Sequence, residues 1–412
     1  MPVFPQRTAL LLSSGGVRGA YQVGVLDGIV DVLGVRGVAG PPLFDIFTGA
    51  SIGAINASFL AANATRTDHA IDDLVRVWTS LVPREIMPFT PLGLWGWPRR
   101  PWLPRPRDTD DPSRGSPYVG RSLFDPRPLE RLLADIIDWD RLHANLRGDV
   151  VRALMIAALD VCDSRTTLFA ELAPGAAFAP YPSTAPRTDV TEIDAGRVLA
   201  SSALPFIFPA RNVDGRYYMD GAIRFTAPTI PALRAGAERL VVISLLRPAP
   251  PTWRRSPEYP GVVFLLGKLL SALLLDPLGH DLDDLRRNNR ILATLDAVLA
   301  PEARAALLRD LVEDRALPSR IVPTLVFEPS ADLSALTAAF IRDELGRSRL
   351  HSLSRALLGR LGRAEGSDQA LLASILLLDG RLAARLIDLG RRDAHAARDR
   401  ILAFFAGDAG ER

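Results

Sequence analysis

The sequence predicts an α/β fold organised on a largely parallel sheet. Two observations carry that reading. A strand, a turn and a helix follow one another twice within the first 62 residues, and alternation of that kind marks a parallel sheet covered by helices. Short apolar runs then recur as far as residue 327, enough to supply further strands.

Taken in order, Thr8–Ser13 reads as a buried strand and Gly15-Gly16-Val17-Arg18-Gly19 as a tight turn. Ala20–Leu33 reads as a helix, with Val23, Leu26, Val30 and Leu33 at helical spacing. Phe44–Thr48 is a second strand, and Ser51–Ala62 a helix of small residues suited to close packing on a sheet. Pro88–Pro117, rich in Pro, Arg, Gly and Trp and without periodicity, is expected to be an irregular insertion. Helical spacing resumes over Leu129–Ile137. Val151–Leu159 and Thr167–Ala170 are strand candidates, and Arg197–Ser202 resembles a helix end. Arg216–Met219 is a short strand running into Asp220-Gly221-Ala222. Leu240–Leu245 and Ile321–Phe327 complete the strands, and the remainder to Arg412 is helical with short breaks. No internal repeat is visible.

Composition narrows the function classes. Hydrophobic residues make up 48% and charged residues 23% of 412, a globular balance. Lys+Arg 49 against Asp+Glu 47 leaves +2, too little for a global field that would draw nucleic acid. A single cysteine, Cys162, excludes an internal disulfide and a cysteine metal cage. The five histidines are far apart in sequence, so neither a metal nor another cofactor is expected. The apolar run Ala9–Leu12 is too short for a signal-peptide core. Val262–Leu275, 14 residues broken by Lys268, falls short of a bilayer span of roughly 20. The expected location is cytoplasmic, with peripheral contact at a membrane surface.

Chemistry gathers at three places. Gly49-Ala50-Ser51-Ile52-Gly53 is a G-x-S-x-G between a strand and a helix. A serine there sits on a sharp turn above the sheet end, and the flanking Gly49 and Gly53 avoid strand–helix clashes. The turn at Gly15-Gly16-Val17-Arg18-Gly19 can converge backbone N–H groups on an anion. A plain strand–helix turn and a nucleotide loop remain alternatives, although the spacing is not G-x-G-x-x-G and no Gly-Lys-Ser/Thr follows. A serine nucleophile needs a base, and His69, His143, His280, His351 and His395 stand in no catalytic context. Asp220, on an Asp-Gly turn at a strand end, is the candidate. A carboxylate with a free pKa of about 4 must be desolvated to serve at pH 7.

Together these segments resemble the patatin-like phospholipase family. Its pattern is a Gly-rich loop with an arginine, G-x-S-x-G, and a late Asp-Gly-Gly/Ala. The block Ala200–Pro209 and Asp160 resemble further family positions, and Leu325–Pro329 and Ser374–Ala394 resemble the tails of bacterial members. The first glycine of the family loop is here Ser14, and Ala222 ends the last motif. The resemblance implies a three-layer α/β/α fold with a mostly parallel central sheet and a helical C-terminal region. It implies a catalytic core over residues 1–245, a helical segment with the last core strand over 246–345, and a helical tail over 346–412. It further implies a Ser–Asp dyad of Ser51 and Asp220 and oxyanion donors at Gly15, Gly16 and Val17. Arg18 and Gly19 would shape that loop, or Arg18 would meet anionic head groups. The expected activity is cleavage of fatty-acyl esters of phospholipids or lysophospholipids. A thioesterase or neutral-lipid esterase on the same dyad, and a catalytically weak lipid-binding scaffold, are alternatives. An α/β-hydrolase triad fits less well, because the nucleophile comes early and no histidine is placed.

Three surface features carry bland readings beside functional ones. Trp95, Trp97 and Trp102 with Arg99, Arg100, Arg105 and Arg107 suit a membrane dock or a lid, and equally a loop packed on its own domain. Val262–Leu275 suits a buried core helix or a lipid contact. His280 and Asp284 share a helix face, as a metal pair or as a solvated helix start.

Overall fold

A computed structural model describes residues 7–38, 40–66, 69–88, 122–176, 178, 186–224, 229–245, 277–300, 302–304, 307, 320–344 and 373–406. The Trp/Arg insertion, Val262–Leu275, His351 and the side chain of His280 lie outside the described residues.

Nine strands form one sheet: β1 (Thr8–Leu12), β2 (Ile46–Ala50), β3 (Ala153–Asp160), β4 (Thr166–Leu172), β5 (Arg187–Val190), β6 (Arg211–Val213), β7 (Arg216–Asp220), β8 (Arg239–Ile243) and β9 (Thr324–Phe327). The main order is β5-β4-β3-β2-β1-β8-β9. From β3 through β9 every neighbour runs parallel, as do β4 and β5. Antiparallel pairing is confined to β3 with β4, β3 with β7, and β6 with β7. The fold is therefore a mostly parallel α/β sheet.

The central strands are buried at every position and mostly apolar because both faces of the sheet are covered. Leu10 and Leu12 of β1 enter one core, while Ala9 and Leu11 enter a second on the opposite face. The first core packs helices α1 (Gly19–Leu33), α2 (Ile52–Ala62) and α3 (Ala70–Thr79). It also takes in α5 (Arg127–Ile136), α6 (Trp139–Arg147) and α7 (Ala195–Ser201) along its flank, whereas Ile86 of the short α4 (Pro83–Ile86) packs into the second. The second core takes in Ala232 of α8 (Thr229–Arg234) and Leu282 and Leu285 of α9 (Pro277–Val298). Helices on both faces of one sheet give the three layers.

The C-terminal helices α10 (Leu333–Glu344), α11 (Gly380–Ala396) and α12 (Arg398–Ala406) return to the first face. There α11 lies against α1 at backbone contact: a Cβ on Gly24 would stand 2.0 Å from Ile387 O. Consequently α1 is buried nearly all round, beyond the single apolar stripe its spacing suggests. Among the described residues no helix is long and apolar enough to cross a membrane.

Most expected elements appear with ends shifted by one to three residues. Two strands have no apolar signal in the sequence. The edge strand β5 reads Arg-Thr-Asp-Val, and β6 is only three residues long.

Candidate active site

Ser51 closes β2 and opens α2. Its backbone adopts φ 55° and ψ −125°, and such a conformation costs a non-glycine residue on the order of 1–3 kcal/mol. Contacts on several sides hold the strain. The Ser51 N–H donates to Ser201 Oγ at 3.0 Å, and that hydroxyl donates to Ala157 O of β3 at 2.7 Å. A Cβ on Gly53 would lie 2.2 Å from Leu12 O, so the helix reaches the strand end only because glycine is there. The helix N-terminus behind Ser51 favours negative charge developing beside it.

The glycine turn joins β1 to α1. Gly16 has φ +61°, and a Cβ on it would stand 2.0 Å from Ile375 O, so both dihedral and space require glycine. The N–H of Arg18 donates to Gly15 O, and that of Gly19 to Gly16 O and Val17 O. Among the described residues the N–H groups of Gly15, Gly16 and Val17 have no acceptor. Gly15 and Gly16 line the same cleft as Ser51. A buried polar chain fixes the turn against α2. Gln22 Nε2 donates to Ser13 O at 2.7 Å, Asn56 Nδ2 to Gln22 Oε1 at 3.0 Å, and Trp78 Nε1 to Asn56 Oδ1 at 3.1 Å.

Arg18 points away from solvent. It is 3% exposed, and its Nε donates to Ser374 Oγ at 2.7 Å and its Nη2 to Ser334 Oγ at 2.6 Å. Burial pulls its pKa down to about 10, with the nearby Asp332 charge acting the other way.

Asp220 ends β7, opposite Ala158 of β3. Its N–H donates to Ala203 O at 2.9 Å, and its Oδ1 accepts the Ala222 N–H at 2.9 Å. The Ser51 hydroxyl lies near this carboxylate in the same cleft and favours its ionised form. Only 1% of the residue is exposed. Burial pushes the pKa up to about 7, although the neighbouring Ser51 hydroxyl and the Ala222 N–H favour the ionised form.

Ser51, Asp220, Gly15 and Gly16 line one open cleft. Ile55, Met87, Leu129 and Phe208 contribute apolar lining. A hydroxyl beside a buried carboxylate whose proton affinity burial raises, with unpaired N–H groups on the same cleft, can open and re-form an acyl ester by way of a serine adduct.

A family model for patatin-like phospholipase matches residues 10–233. The chain belongs to the patatin-like phospholipase family. Members of this family are lipid hydrolases, which places the protein among the enzymes that act on acyl lipids. No curated protein matches the chain. Among solved structures, VipD from Legionella pneumophila is similar at 13% identity and a TM-score of 0.30, over 93% of this chain and 67% of that one.

The other sequence candidates lie elsewhere. Asp160, 2% exposed, accepts the Cys162 N–H at 2.8 Å and the Asp163 N–H at 3.2 Å on Oδ1, and Arg216 Nη1 at 2.9 Å on Oδ2. Among the histidines, His143 pairs with Glu171 at 2.7 Å and His395 lies 3.7 Å from Asp31. Neither lines the cleft. Ser201 falls in the Ala200–Pro209 block, without a role read for it, and the Gln22–Asn56–Trp78 chain carries no signature of its own. Their sequence signal is a polar side chain among small or apolar helix neighbours.

Proposed function

We propose that this family member is a serine lipid acyl hydrolase in which Ser51 is the nucleophile and Asp220 the general base, acting on phospholipid or lysophospholipid esters. The observation that carries the reading is the placement of Ser51 in one cleft with Asp220, a buried carboxylate that burial pushes up to about 7. A base poised near the working pH combines a sufficient ionised fraction with real affinity for the proton.

In the first half-reaction Ser51 Oγ attacks the ester carbonyl carbon as Asp220 takes the hydroxyl proton. The carbonyl oxygen becomes an oxyanion, which the N–H groups of Gly15, Gly16 and Val17 receive. Collapse of the tetrahedral adduct breaks the bond to the leaving alcohol, and Asp220 returns its proton to that oxygen. Water then attacks the acyl-serine, again losing its proton to Asp220, and the second collapse frees the fatty acid and restores Ser51. Preorganised donors of this type contribute roughly 2.7–4 kcal/mol each. Arg18 shapes the loop from within the fold, since its guanidinium is engaged by Ser334 and Ser374.

The test is hydrolysis of a soluble p-nitrophenyl ester and of a lipid panel by wild type and Ser51→Ala. The expected result is a loss on the order of 10³-fold or more on every substrate. Turnover at the wild-type rate by Ser51→Ala would overturn the assignment. The panel, comprising phospholipid, lysophospholipid, triacylglycerol and acyl thioester, fixes the substrate class.

A further inference from the structure

The family-matched region ends at residue 233, yet the cleft is not closed by that region alone. Ile375, Leu376 and Leu378 line it together with Ser51 and Asp220. Two contacts fix this C-terminal segment to the glycine turn. The backbone at Ile375 O meets Gly16 so closely that no side chain fits between them. One residue earlier, Ser374 is fully buried and accepts the Arg18 guanidinium. The same guanidinium also reaches Ser334 on α10, so one side chain of the turn clamps two C-terminal elements. Immediately afterwards Asp379 caps α11 by accepting the Arg381 N–H at 2.9 Å, and Gly380 N–H donates to Leu81 O at 2.8 Å. The stretch is therefore pinned at both ends. Between the pins, Leu376 and Leu378 are only half-buried and face space beside the nucleophile.

We propose that residues 375–378 form an acyl-chain subsite of the cleft and set the chain length it accepts. The inference rests on the hydrolase reading above and adds the ligand class of this wall, a saturated or unsaturated fatty-acyl chain. An acyl chain has no polar atom beyond its carboxyl end, so its selection depends on apolar length and width. Leu376 and Leu378 supply both, on a backbone whose position relative to Gly16 is fixed. Bulk added at Leu376 shortens the space available to a chain. Bulk removed there deletes contacts that only a long chain makes.

The experiment compares kcat/KM for p-nitrophenyl dodecanoate and p-nitrophenyl butyrate in wild type, Leu376→Phe and Leu376→Ala. Both substitutions are expected to lower the dodecanoate-to-butyrate ratio about tenfold. The ratio is taken within one preparation, so any loss of folded protein cancels. A second arm measures binding of a fluorescent sixteen-carbon fatty acid to Ser51→Ala, where adding Leu376→Phe should weaken it about tenfold. An unchanged ratio, with Ser51-dependent hydrolysis of both esters intact, overturns the subsite and leaves the hydrolase reading standing. Absence of Ser51-dependent hydrolysis overturns the hydrolase reading. The binding arm then still decides the subsite: tight binding weakened by Leu376→Phe supports it, and unweakened or absent binding rejects it.

Discussion

Two aspartates on one strand pair behave in opposite ways. Asp160 ends β3 and Asp220 ends β7, strands paired so that Asp160 faces Tyr218 and Ala158 faces Asp220. Both are buried, at 2% and 1% exposure. Burial raises the pKa of either, but at Asp160 the Arg216 guanidinium and two backbone N–H groups outweigh it and hold the carboxyl below its ordinary value. Among the described residues no cation acts on Asp220. Burial outweighs the neighbouring Ser51 hydroxyl and the Ala222 N–H, taking it up to about 7. What separates a brace from a candidate base is therefore the charge of the partner, and not the depth of the site. A base must be able to accept a proton, and an arginine salt bridge prevents that near neutrality.

The largest effect expected is from Asp220→Asn, which removes the proton acceptor and keeps the shape. Its kcat/KM should fall on the order of 10³-fold. Wild-type kcat/KM should decline tenfold per unit below about pH 7 as Asp220 protonates, read from a pH–rate profile on a neutral ester. Stability runs the other way. Because the folded pKa lies above the unfolded one, Asp220 costs the fold nothing below about pH 4, and an increasing amount from there up to about pH 7. The Asn variant should thus gain on wild type by up to about 3 kcal/mol between pH 5 and pH 8, measured by denaturant melts at each pH. A variant that stays active, or a gap independent of pH, would break the contrast between the two aspartates.

Ser201→Ala tests the other support of the pair, the one that holds Ser51 from beneath. Its hydroxyl takes the Ser51 N–H and anchors it to β3. Alanine leaves that donor without its partner and frees a strained turn, so roughly tenfold lower kcat with KM unchanged is expected, at a stability cost of about 1–2 kcal/mol. Ser201→Thr, which keeps the hydroxyl, should recover part of the rate. If alanine alters only stability, the hydroxyl braces the fold without positioning Ser51.

The same contrast shows what a sequence discloses. Ser51, Asp220 and the glycine turn are legible because each is tied to a backbone demand that leaves glycines at fixed offsets. Gly16 and Gly53 are needed where a Cβ would strike a carbonyl. The strand–helix alternation is legible for a similar reason, since burial on both faces leaves Leu10, Leu11 and Leu12 in an unbroken row. Asn56 and Gln22 are not legible, because their work is hydrogen bonding to residues at distant points in the chain or on neighbouring elements, and Ser201 stands in a block the resemblance marks without giving it a role. Ile375–Leu378 are ordinary apolar residues whose place beside Ser51 depends on a chain reversal of over 300 residues. Direction within the sheet is equally silent: β3 and β4 are antiparallel, yet their apolar runs resemble those of the parallel strands.

The smallest effect on catalysis should come from Asp160→Asn, and that is why it sharpens the comparison. Asparagine keeps an oxygen for the Cys162 N–H, so the turn after β3 survives, and only the charge facing Arg216 is lost. Arg216 is 45% exposed at its side chain, and solvent screens the pair. The expected cost is about 1 kcal/mol at pH 7. A carboxyl held below its ordinary pKa stabilises the fold above the unfolded value near 4 and ceases to as pH falls through its folded one, so the cost should vanish in acid. Turnover should stay within about twofold of wild type. No charge from Asp160 contributes to the shift at Asp220, so the midpoint of the pH–rate profile should not move. A displaced midpoint in Asp160→Asn would mean that the two carboxylates titrate as one system, and the division between brace and base would have to be given up.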